Sequence, residues 1–262
     1  MGEAIVITSG KGGVGKTTTC ANLGQAIASR GKRVALVDTD LGLRNLDIVL
    51  SLENRIKYDI THVVNMECEM RFALIKDKKY PNLVLLPASQ TRDKDDVKPY
   101  QVQKVIEELC MDYDFVLVDC PAGIDRGFRN ATAGVHRAIV VTTPEIPAVR
   151  DADRTIGVLE DMLIKPNIVI NKVRPSMIRR KEMLDVPAIM DILQAELLGV
   201  VPDDEAIIAS TNMAEPGVTH RPGAMSSKAY SNIACRVMGE QVPLMEIKPL
   251  TLFERLAKAI TG

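Results

Sequence analysis

The chain has 262 residues, and its 33 basic and 34 acidic side chains give a net charge of −1. This balance argues against a broad positive field, so nucleic acid is not an expected partner. Five cysteines are scattered without a C-x-x-C pair, which suits a reducing compartment and weighs against zinc or an iron–sulfur cluster. No apolar stretch approaches the ~18 residues of a transmembrane helix, and the first residues predict a strand rather than a signal peptide.

Apolar runs alternate with amphipathic segments along most of the chain. Runs without internal alternation are typical of parallel strands covered on both faces. The pattern predicts an α/β fold, a doubly wound and mostly parallel sheet with helices on both faces and with ligand bound beyond the carboxyl ends of the strands. The predicted strands are Ala4–Ile7, Arg33–Val37, Leu83–Leu86, Phe115–Val118, Ala138–Thr142, Ile168–Ile170 and Gly199–Val201. The predicted helices are Thr17–Ser29, Val102–Met111, Ala148–Met162 and Val186–Leu197, with residues 51–79 a helical insertion and Lys76–Lys79 a solvated turn.

A glycine-rich loop, Gly10–Thr17, lies between the first strand and the first helix. It matches G-x-x-x-x-G-K-[ST] in the strand–loop–helix context that this motif requires. Glycines let consecutive backbone N–H groups converge on an anion, and the helix start adds its dipole. Lys16 would reach the β- and γ-phosphates, and the Thr17 hydroxyl would ligate Mg²⁺. The expected nucleotide-binding residues here are Lys11, Gly12, Gly13, Val14, Gly15, Lys16, Thr17 and Thr18.

Carboxylates follow two of the predicted strands. The second strand runs into Asp38 and Asp40, and the run Phe115–Val118 ends in Asp119. An aspartate at this position is typical of the Walker B strand, where the carboxylate lies beside Mg²⁺. Helix capping is the alternative interpretation of Asp38 and Asp40. These residues predict a metal site that includes Thr17 and Asp119.

The loop carries a second cation, Lys11, which the ordinary phosphate-loop motif does not require; a solvated surface lysine is the plain alternative. The sequence K-G-G-V-G-K-T resembles the deviant loop of the MinD/ParA family of ATPases. That resemblance implies an ATP-dependent homodimer in which Lys11 reaches the phosphates of the partner subunit, much as an arginine finger does. It also implies that Asp40 positions the attacking water, so that Lys11, Lys16 and Asp40 are the expected catalytic residues. By the same resemblance Asp38 lies near the metal, which completes the expected metal site of Thr17, Asp38 and Asp119.

Two further stretches are similar to the MinD branch of the family. They are A-S-Q-T-R-D-K-D at 88–95 and V-R-D-A-D-R at 149–154. The second implies docking of the regulators MinC and MinE at Arg150, Asp151 and Asp153. A solvated helix face with i,i+3 and i,i+4 ion pairs is the alternative, and both interpretations are compatible.

The segment N-K-V-R begins at Asn171. By similarity to related ATPases, Asn171 and Arg174, with the later Pro202 and Asp203, would contact adenine. An asparagine amide both donates and accepts hydrogen bonds, as base recognition requires, although a turn-forming Asn is the alternative. Guanine recognition would call for an aspartate where Arg174 stands, so the pattern favours ATP over GTP.

The last thirteen residues, 250–262, follow a Pro-containing connector at 241–249, and residues 1–240 form the predicted ATPase domain. At 100° per residue, Leu252, Phe253, Leu256 and Ile260 share one face of a helix. Packing against the protein core explains such a face equally well. Terminal position and basic bias favour a helix on an anionic membrane surface, as in the MinD branch.

Together these features predict a cytoplasmic, Mg²⁺-dependent ATPase that is peripheral on the inner face of the cell membrane. By resemblance it would dimerise with ATP, recruit MinC to inhibit septum assembly away from the division site, and be released after hydrolysis that MinE stimulates. The alternative is a ParA-like DNA-partition ATPase, which would bind DNA in a salt-dependent manner.

Overall fold

The computed structural model describes residues 1–90, 92 and 96–246. The strands are β1 (Glu3–Thr8), β2 (Val34–Asp38), β3 (Ile75–Lys76), β4 (Leu83–Leu86), β5 (Phe115–Asp119), β6 (Arg137–Thr142), β7 (Lys165–Val173) and β8 (Glu196–Pro202). The helices are α1 (Lys16–Ala28), α2 (Leu46–Val49), α3 (Ile60–Val64), α4 (Met70–Ala73), α5 (Pro99–Asp112), α6 (Arg126–Ala131), α7 (Ile146–Asp161), α8 (Pro175–Arg179), α9 (Val186–Leu193), α10 (Glu205–Asn212), α11 (Gly217–His220) and α12 (Met225–Val237).

The strands form one sheet in the order β3-β4-β2-β5-β1-β6-β7-β8. The pairings are parallel except for β3, which runs antiparallel to β4. Because each parallel strand is followed by a crossover, the carboxyl ends of β1, β2 and β5 lie side by side at one edge. The predicted doubly wound α/β fold is therefore confirmed.

Helices cover both faces of the sheet, which explains the unbroken apolar runs. Along β1, Ile5 and Ile7 pack with α1 and α12, whereas Ala4 and Val6 pack with α5 and α7 on the opposite face. These side chains are almost completely buried. The two apolar layers fix the strand register and therefore the relative height of the residues at the strand ends.

Some predicted boundaries are wrong. The helix predicted for 186–197 ends at Leu193, because Gln194 has a left-handed backbone (φ 48°) and β8 begins at Glu196. Strand β7 extends through Asn171 to Val173, so Asn171 lies within the strand rather than after it. The predicted insertion at 51–79 is mostly short helical turns and loop, and it ends in the unpredicted strand β3.

The predicted solvated turn at 76–79 is also wrong in one respect, because Asp77 is buried. Its carboxylate accepts hydrogen bonds from the backbone N–H groups of Lys79 and Tyr80, both at 2.9 Å. It also accepts from Gln25 Nε2 on α1, at 3.1 Å. Asp77 therefore joins the turn to the first helix rather than facing water.

The described chain ends against the body of the protein. The Arg236 guanidinium donates to the carbonyl oxygens of Val242, Pro243 and Leu198, and Met245 packs against the core layer to which α1 and α12 contribute. Residues 247–262, including the predicted membrane-facing Leu252, Phe253, Leu256 and Ile260, lie outside the described residues. Among the residues that are described, no helix is long and apolar enough to span a bilayer.

Candidate functional site

A cavity of about 1000 Å³ lies beyond the carboxyl ends of the parallel strands. Three loops and the start of α10 surround it. Its lining includes most of the predicted site residues, namely Gly12, Gly13, Gly15, Lys16, Thr17, Thr18, Asp40, Asn171, Arg174, Pro202 and Asp203. The structure therefore brings together, in one cavity, residues that are up to about 190 positions apart in the sequence.

The glycine loop wraps the end of this cavity. Gly13 and Gly15 have φ values of 78° and 98°, the left-handed region that favours glycine. At Gly15 a Cβ atom would also lie 2.4 Å from Asn171 Nδ2, so both backbone and space exclude a side chain. Helix α1 begins directly afterwards and has no acidic residue in its first turn. Its N–H groups and dipole can therefore act on an anion without competition.

Strand β7 holds this loop from the side. Asn171 Nδ2 donates to the Val14 carbonyl at 2.8 Å, and Lys172 Nζ donates to the Gly13 carbonyl at 2.7 Å. Lys172 has a positive φ of 57°, next to an irregularity in the β7–β8 pairing. Val14 contributes a buried side chain and this carbonyl. In this conformation Asn171 contacts the loop backbone, so its predicted contact with adenine stays a prediction.

The two strand-end aspartates are neighbours, because Asp38 of β2 pairs in register with Asp119 of β5. Both are almost completely buried. Burial raises the pKa of each carboxyl, and the Asp38 charge raises the pKa of Asp119 further. Two adjacent buried carboxylates repel each other, so the site favours a ligand that carries positive charge.

The two carboxylates differ in their partners. Asp38 accepts from the backbone N–H of Asp40 at 2.9 Å and from those of Asn45 and Leu46 at 3.3 Å. Asp119 receives a hydrogen bond from the Thr17 side chain, but its Oδ1 atom is buried and has no hydrogen-bond partner among the described residues. A buried orphaned oxygen beside a threonine hydroxyl fits Mg²⁺, a hard cation that prefers oxygen ligands. Thr17 and Asp119 thus fit the predicted metal site, while Asp38 already binds the adjacent loop.

Asp40 lies half-exposed on the loop that these contacts hold, which we call the switch I loop (residues 39–45). The loop starts at Thr39, whose N–H and hydroxyl both donate to the Asp119 carbonyl. The second loop at this edge follows β5, and its Pro121 and Ala122 line the cavity. Burial raises the pKa of the intervening Cys120 thiol to about 12, so this cysteine fills space and is not a nucleophile at neutral pH.

The opposite wall of the cavity comes from the ends of β7 and β8. Arg174 forms an ion pair with Asp203, and Pro202 is buried beside them. Sequence reasoning missed the next part of this wall, where Asp204, Ile207 and Ile208 begin α10. The available signal was a helix start, since the Asp204 carboxylate accepts from the Ala206 N–H at 3.0 Å as an N-cap does.

Seven of the predicted residues that the structure describes lie outside the cavity lining: Val14, Asp38 and Asp119, whose contacts are given above, and Lys11, Arg150, Asp151 and Asp153. Lys11 is exposed at the start of the loop. Arg150, Asp151 and Asp153 lie on α7, where Arg150 and Asp153 are exposed and Asp151 is half-buried. The Asp151 backbone packs against Gly10, where a Cβ atom would meet its carbonyl oxygen at 2.2 Å. The predicted partner surface thus touches the first residue of the phosphate loop.

The fold and the cavity define a class, the P-loop nucleotide-binding proteins. The family described as the CobQ/CobB/MinD/ParA nucleotide binding domain matches residues 5–216. The septum site-determining protein MinD of Bacillus subtilis is 53% identical over 251 residues, which is 95% of this chain and 93% of that protein. The chain therefore belongs to this family, in its MinD branch.

Two solved structures show the same similarity. The MinC:MinD cell division protein complex of Aquifex aeolicus superposes with a TM-score of 0.87 at 44% identity, covering 93% of this chain and 98% of that chain. The septum site-determining protein MinD of Pyrococcus horikoshii, complexed with Mg-ADP, gives a TM-score of 0.81 at 30% identity, covering 90% and 96%. The predicted resemblance is confirmed over nearly the whole chain.

Proposed function

We propose that this protein is a Mg²⁺-dependent ATPase that acts as a membrane switch in division-site selection. The observation that carries the enzymatic part is the orphaned Asp119 Oδ1 beside Thr17, at the mouth of a glycine loop that ends in Lys16. The Mg-ADP complex of the Pyrococcus horikoshii relative supports the same ligand. The names of the relatives support the role in septum placement.

The proposed chemistry is attack of water on the γ-phosphorus of ATP, with ADP as the leaving group. Lys16 and the loop N–H groups bind the β- and γ-phosphates and offset the charge that develops on them. Thr17 and Asp119 hold Mg²⁺, directly or through water, and the ion supplies charge neutralisation on the phosphate oxygens. Asp40 orients the attacking water from the switch I loop, and the Asp38 contacts with the backbone fix that loop.

Lys11 is proposed to act in a second subunit. It is exposed and separate from the cavity lining of its own chain, and these properties suit a side chain that reaches across a dimer interface. Two chains facing each other across two ATP molecules would each receive a Lys11 from the partner. Positive charge supplied in trans accelerates phosphoryl transfer and couples it to dimerisation.

Base selection is proposed for Asn171, Arg174, Pro202 and Asp203, with Ile207 and Ile208 as an apolar wall. Arg174, which pairs with Asp203, stands where guanine recognition would call for an aspartate, and this supports ATP over GTP. In the bound state Asn171 would contact the base while Lys172 continues to hold the loop.

Membrane binding is proposed for the tail, residues 250–262, through Leu252, Phe253, Leu256 and Ile260. Burying such side chains contributes about 1.5–3 kcal/mol each before the ordering cost. One tail would therefore bind weakly, and a dimer with two tails would bind far more tightly through effective concentration. ATP-driven dimerisation would thereby place the protein on the cytoplasmic face of the membrane, and hydrolysis would release it.

The proposed partners are MinC and MinE, which would dock at Arg150, Asp151 and Asp153. The MinC:MinD complex of Aquifex aeolicus supports MinC as a partner. The packing of Asp151 on Gly10 supports a surface on α7 that senses the state of the phosphate loop.

The test is sedimentation of the full-length protein with anionic liposomes, with ADP or with ATP and Mg²⁺, alongside ATP turnover in the same samples. The matched variants are Lys16→Ala and a chain lacking 250–262. We expect co-sedimentation with ATP only, loss of it in both variants, and retained turnover in the truncated chain. Turnover without liposome binding in any lane would refute the membrane part. Salt-dependent DNA binding with ATP would then favour the partition class.

A further inference from the structure

The switch I loop is attached to the protein at both of its ends. At the inner end, Asp38 accepts a hydrogen bond from the Asp40 N–H, and at the outer end it accepts from the N–H groups of Asn45 and Leu46. The N–H groups of Leu43 and Arg44 donate to the Asp40 carbonyl, both at 3.2 Å, and form the turn between these contacts. The side chain of Asp40 is therefore carried by a short turn, and its direction depends on how firmly both ends of that turn are held.

The outer end is joined to the core by an ion pair. Arg44 Nε lies 2.8 Å from Asp47 Oδ2, and the Asp47 side chain is 0% exposed while that of Arg44 is 13% exposed. Asp47 lies in α2, directly after Leu46. Its backbone carbonyl accepts a hydrogen bond from the Leu52 N–H at 2.8 Å. Leu46 and Leu52 are themselves completely buried in the layer under α1. The carboxylate of Asp47 is thus a fixed point in the core beneath the loop.

Burial of the Asp47 carboxylate costs free energy. Burial raises the pKa of its carboxyl, the Arg44 charge opposes this, and the nearby Glu53 adds to the repulsion. An apolar residue could fill such a position in a folded core without this cost, and buried ion pairs are weak sources of net stability. Neither Arg44 Nε nor either Asp47 carboxylate oxygen has a hydrogen-bond partner among the described residues, so the contact is one between opposite charges. What an apolar residue could not provide is the negative charge that holds the Arg44 guanidinium, and with it the loop backbone, in this place.

We infer that Asp47 is a positioning residue for ATP hydrolysis, acting through Arg44 to hold the switch I loop so that Asp40 faces the γ-phosphate. This inference rests on the proposed function, in which Asp40 orients the attacking water. Asp47 touches neither substrate nor metal in this arrangement, because its side chain is buried next to Leu46 in the layer under α1, away from Thr17 and Asp119. Its effect is therefore on turnover rather than on nucleotide binding.

The test is a double-mutant cycle on single-turnover ATP hydrolysis by the full-length protein. Asp47→Asn keeps the shape of the side chain and removes the charge that holds Arg44. We expect kcat to fall by about 10- to 100-fold, because misplacement of a reacting group by ~1 Å has effects of this size. The affinity for a non-hydrolysable ATP analogue with Mg²⁺ should change by less than about threefold, because the contacts of Lys16 and Thr17 are retained.

The cycle is completed in an Asp40→Ala background. There the position of the loop no longer matters for water orientation, so adding Asp47→Asn should reduce the residual rate by less than about twofold. Arg44→Lys is carried through the same cycle and should behave like Asp47→Asn, since lysine has a methylene group where Arg44 Nε contacts Asp47. It provides the same information if Asp47→Asn does not fold.

The control is Asp114→Asn, which breaks an exposed ion pair with Arg33 far from this loop and should leave kcat unchanged. Equal losses in the Asp40-containing and Asp40→Ala backgrounds would show a general structural role and overturn the inference, as would wild-type turnover in both Asp47→Asn and Arg44→Lys. Absence of hydrolysis in the wild-type protein would instead refute the proposed function, so the two failures are distinguishable.

Discussion

Charged side chains form ion pairs at the amino ends of the parallel strands, whereas at the carboxyl ends two carboxylates are buried side by side. At the amino ends, ion pairs join the starts of neighbouring strands: Arg33 with Asp114, Arg137 with Glu3, and Lys165 with Glu196. Most of these side chains are substantially exposed. At the carboxyl ends, Asp38 and Asp119 are buried next to each other, and Asp119 Oδ1 has no hydrogen-bond partner among the described residues.

This difference distinguishes charged groups that a neighbouring side chain already compensates from charged groups that only a bound ligand would compensate. Exposed pairs are mutually compensated and contribute little to stability because water screens them. Buried, adjacent carboxylates destabilise the nucleotide-free protein, and such a cost persists where the site is used. The contrast predicts that mutations at the carboxyl edge change function strongly and that mutations at the amino edge change it hardly at all.

The largest expected effect at the carboxyl edge is that of Lys16→Ala. Removing this cation leaves the β- and γ-phosphate charge uncompensated, and we expect Mg·ATP affinity and turnover to fall by about 100-fold or more. Isothermal titration with a non-hydrolysable ATP analogue measures the first quantity directly. Wild-type affinity in this variant would refute the assignment of the loop.

Asp119→Asn sharpens the comparison, because it should raise the stability of the nucleotide-free protein while it weakens Mg²⁺-dependent nucleotide binding. The variant removes one of two adjacent buried carboxylates, so the nucleotide-free protein should unfold about 2–4 °C higher, as expected for a gain of ~1 kcal/mol in a chain of this size. The Mg²⁺ dependence of nucleotide binding should disappear. Calorimetric unfolding with and without Mg·ADP checks both, and a lower melting temperature without ligand would contradict the account.

An intermediate effect is expected for Lys172→Met at the side of the phosphate loop. The Gly13 carbonyl loses the Lys172 ammonium donor. A loop that is held less firmly loses more conformational entropy when it orders around a phosphate. We expect affinity for Mg·ADP to fall by about 3- to 10-fold with little change in melting temperature. Lys104→Met on the outer surface of α5 is the matched control, and equal affinities of the two variants would show that the contact is unimportant for binding.

The smallest effect is expected at the amino edge for Asp114→Asn. The Arg33 backbone N–H and guanidinium lower the pKa of Asp114 in the folded state. A lowered carboxyl pKa contributes stability that is present above the unfolded value near ~3.9 and is lost as the pH falls through the folded value. The variant should therefore melt slightly lower than wild type at pH 7, and the difference should shrink as the pH falls below ~3.9 and vanish below the folded pKa. Loss of nucleotide binding in this variant would break the contrast between the two edges.

The parts of the site that the sequence predicted are those encoded in contiguous residues. The glycine loop and the strand ending in Asp119 need only a local strand–loop–helix order and one parallel pairing, and both are present. The contacts of Lys172 with Gly13 and of Arg44 with Asp47 were not predicted, because they depend on the conformations that the loops adopt in the folded protein. The α10 wall of the cavity was missed for the same reason.

Helix α12 was not predicted, because the apolar periodicity of its sequence is weak. Its buried face includes Ser226, Ser227, Ala229 and Ala234 beside Tyr230 and Ile233, because it packs closely against α1. Small and hydroxyl-bearing residues on a buried face produce a weak apolar periodicity. The left-handed end of α9 at Gln194 was equally invisible, since no glycine marks it.

The most direct measurement for the central claim is the thermal unfolding of the wild-type protein with buffer, Mg²⁺, ADP and Mg·ADP, in parallel with Asp119→Asn. If the buried carboxyl edge is a Mg·nucleotide site, Mg·ADP at about 100 times its dissociation constant should stabilise the wild type by about 2.7 kcal/mol, which corresponds to roughly 5–10 °C. ADP alone should give a clearly smaller shift, and Asp119→Asn should respond equally to ADP and Mg·ADP. An identical shift in the wild type with and without Mg²⁺ would contradict the account.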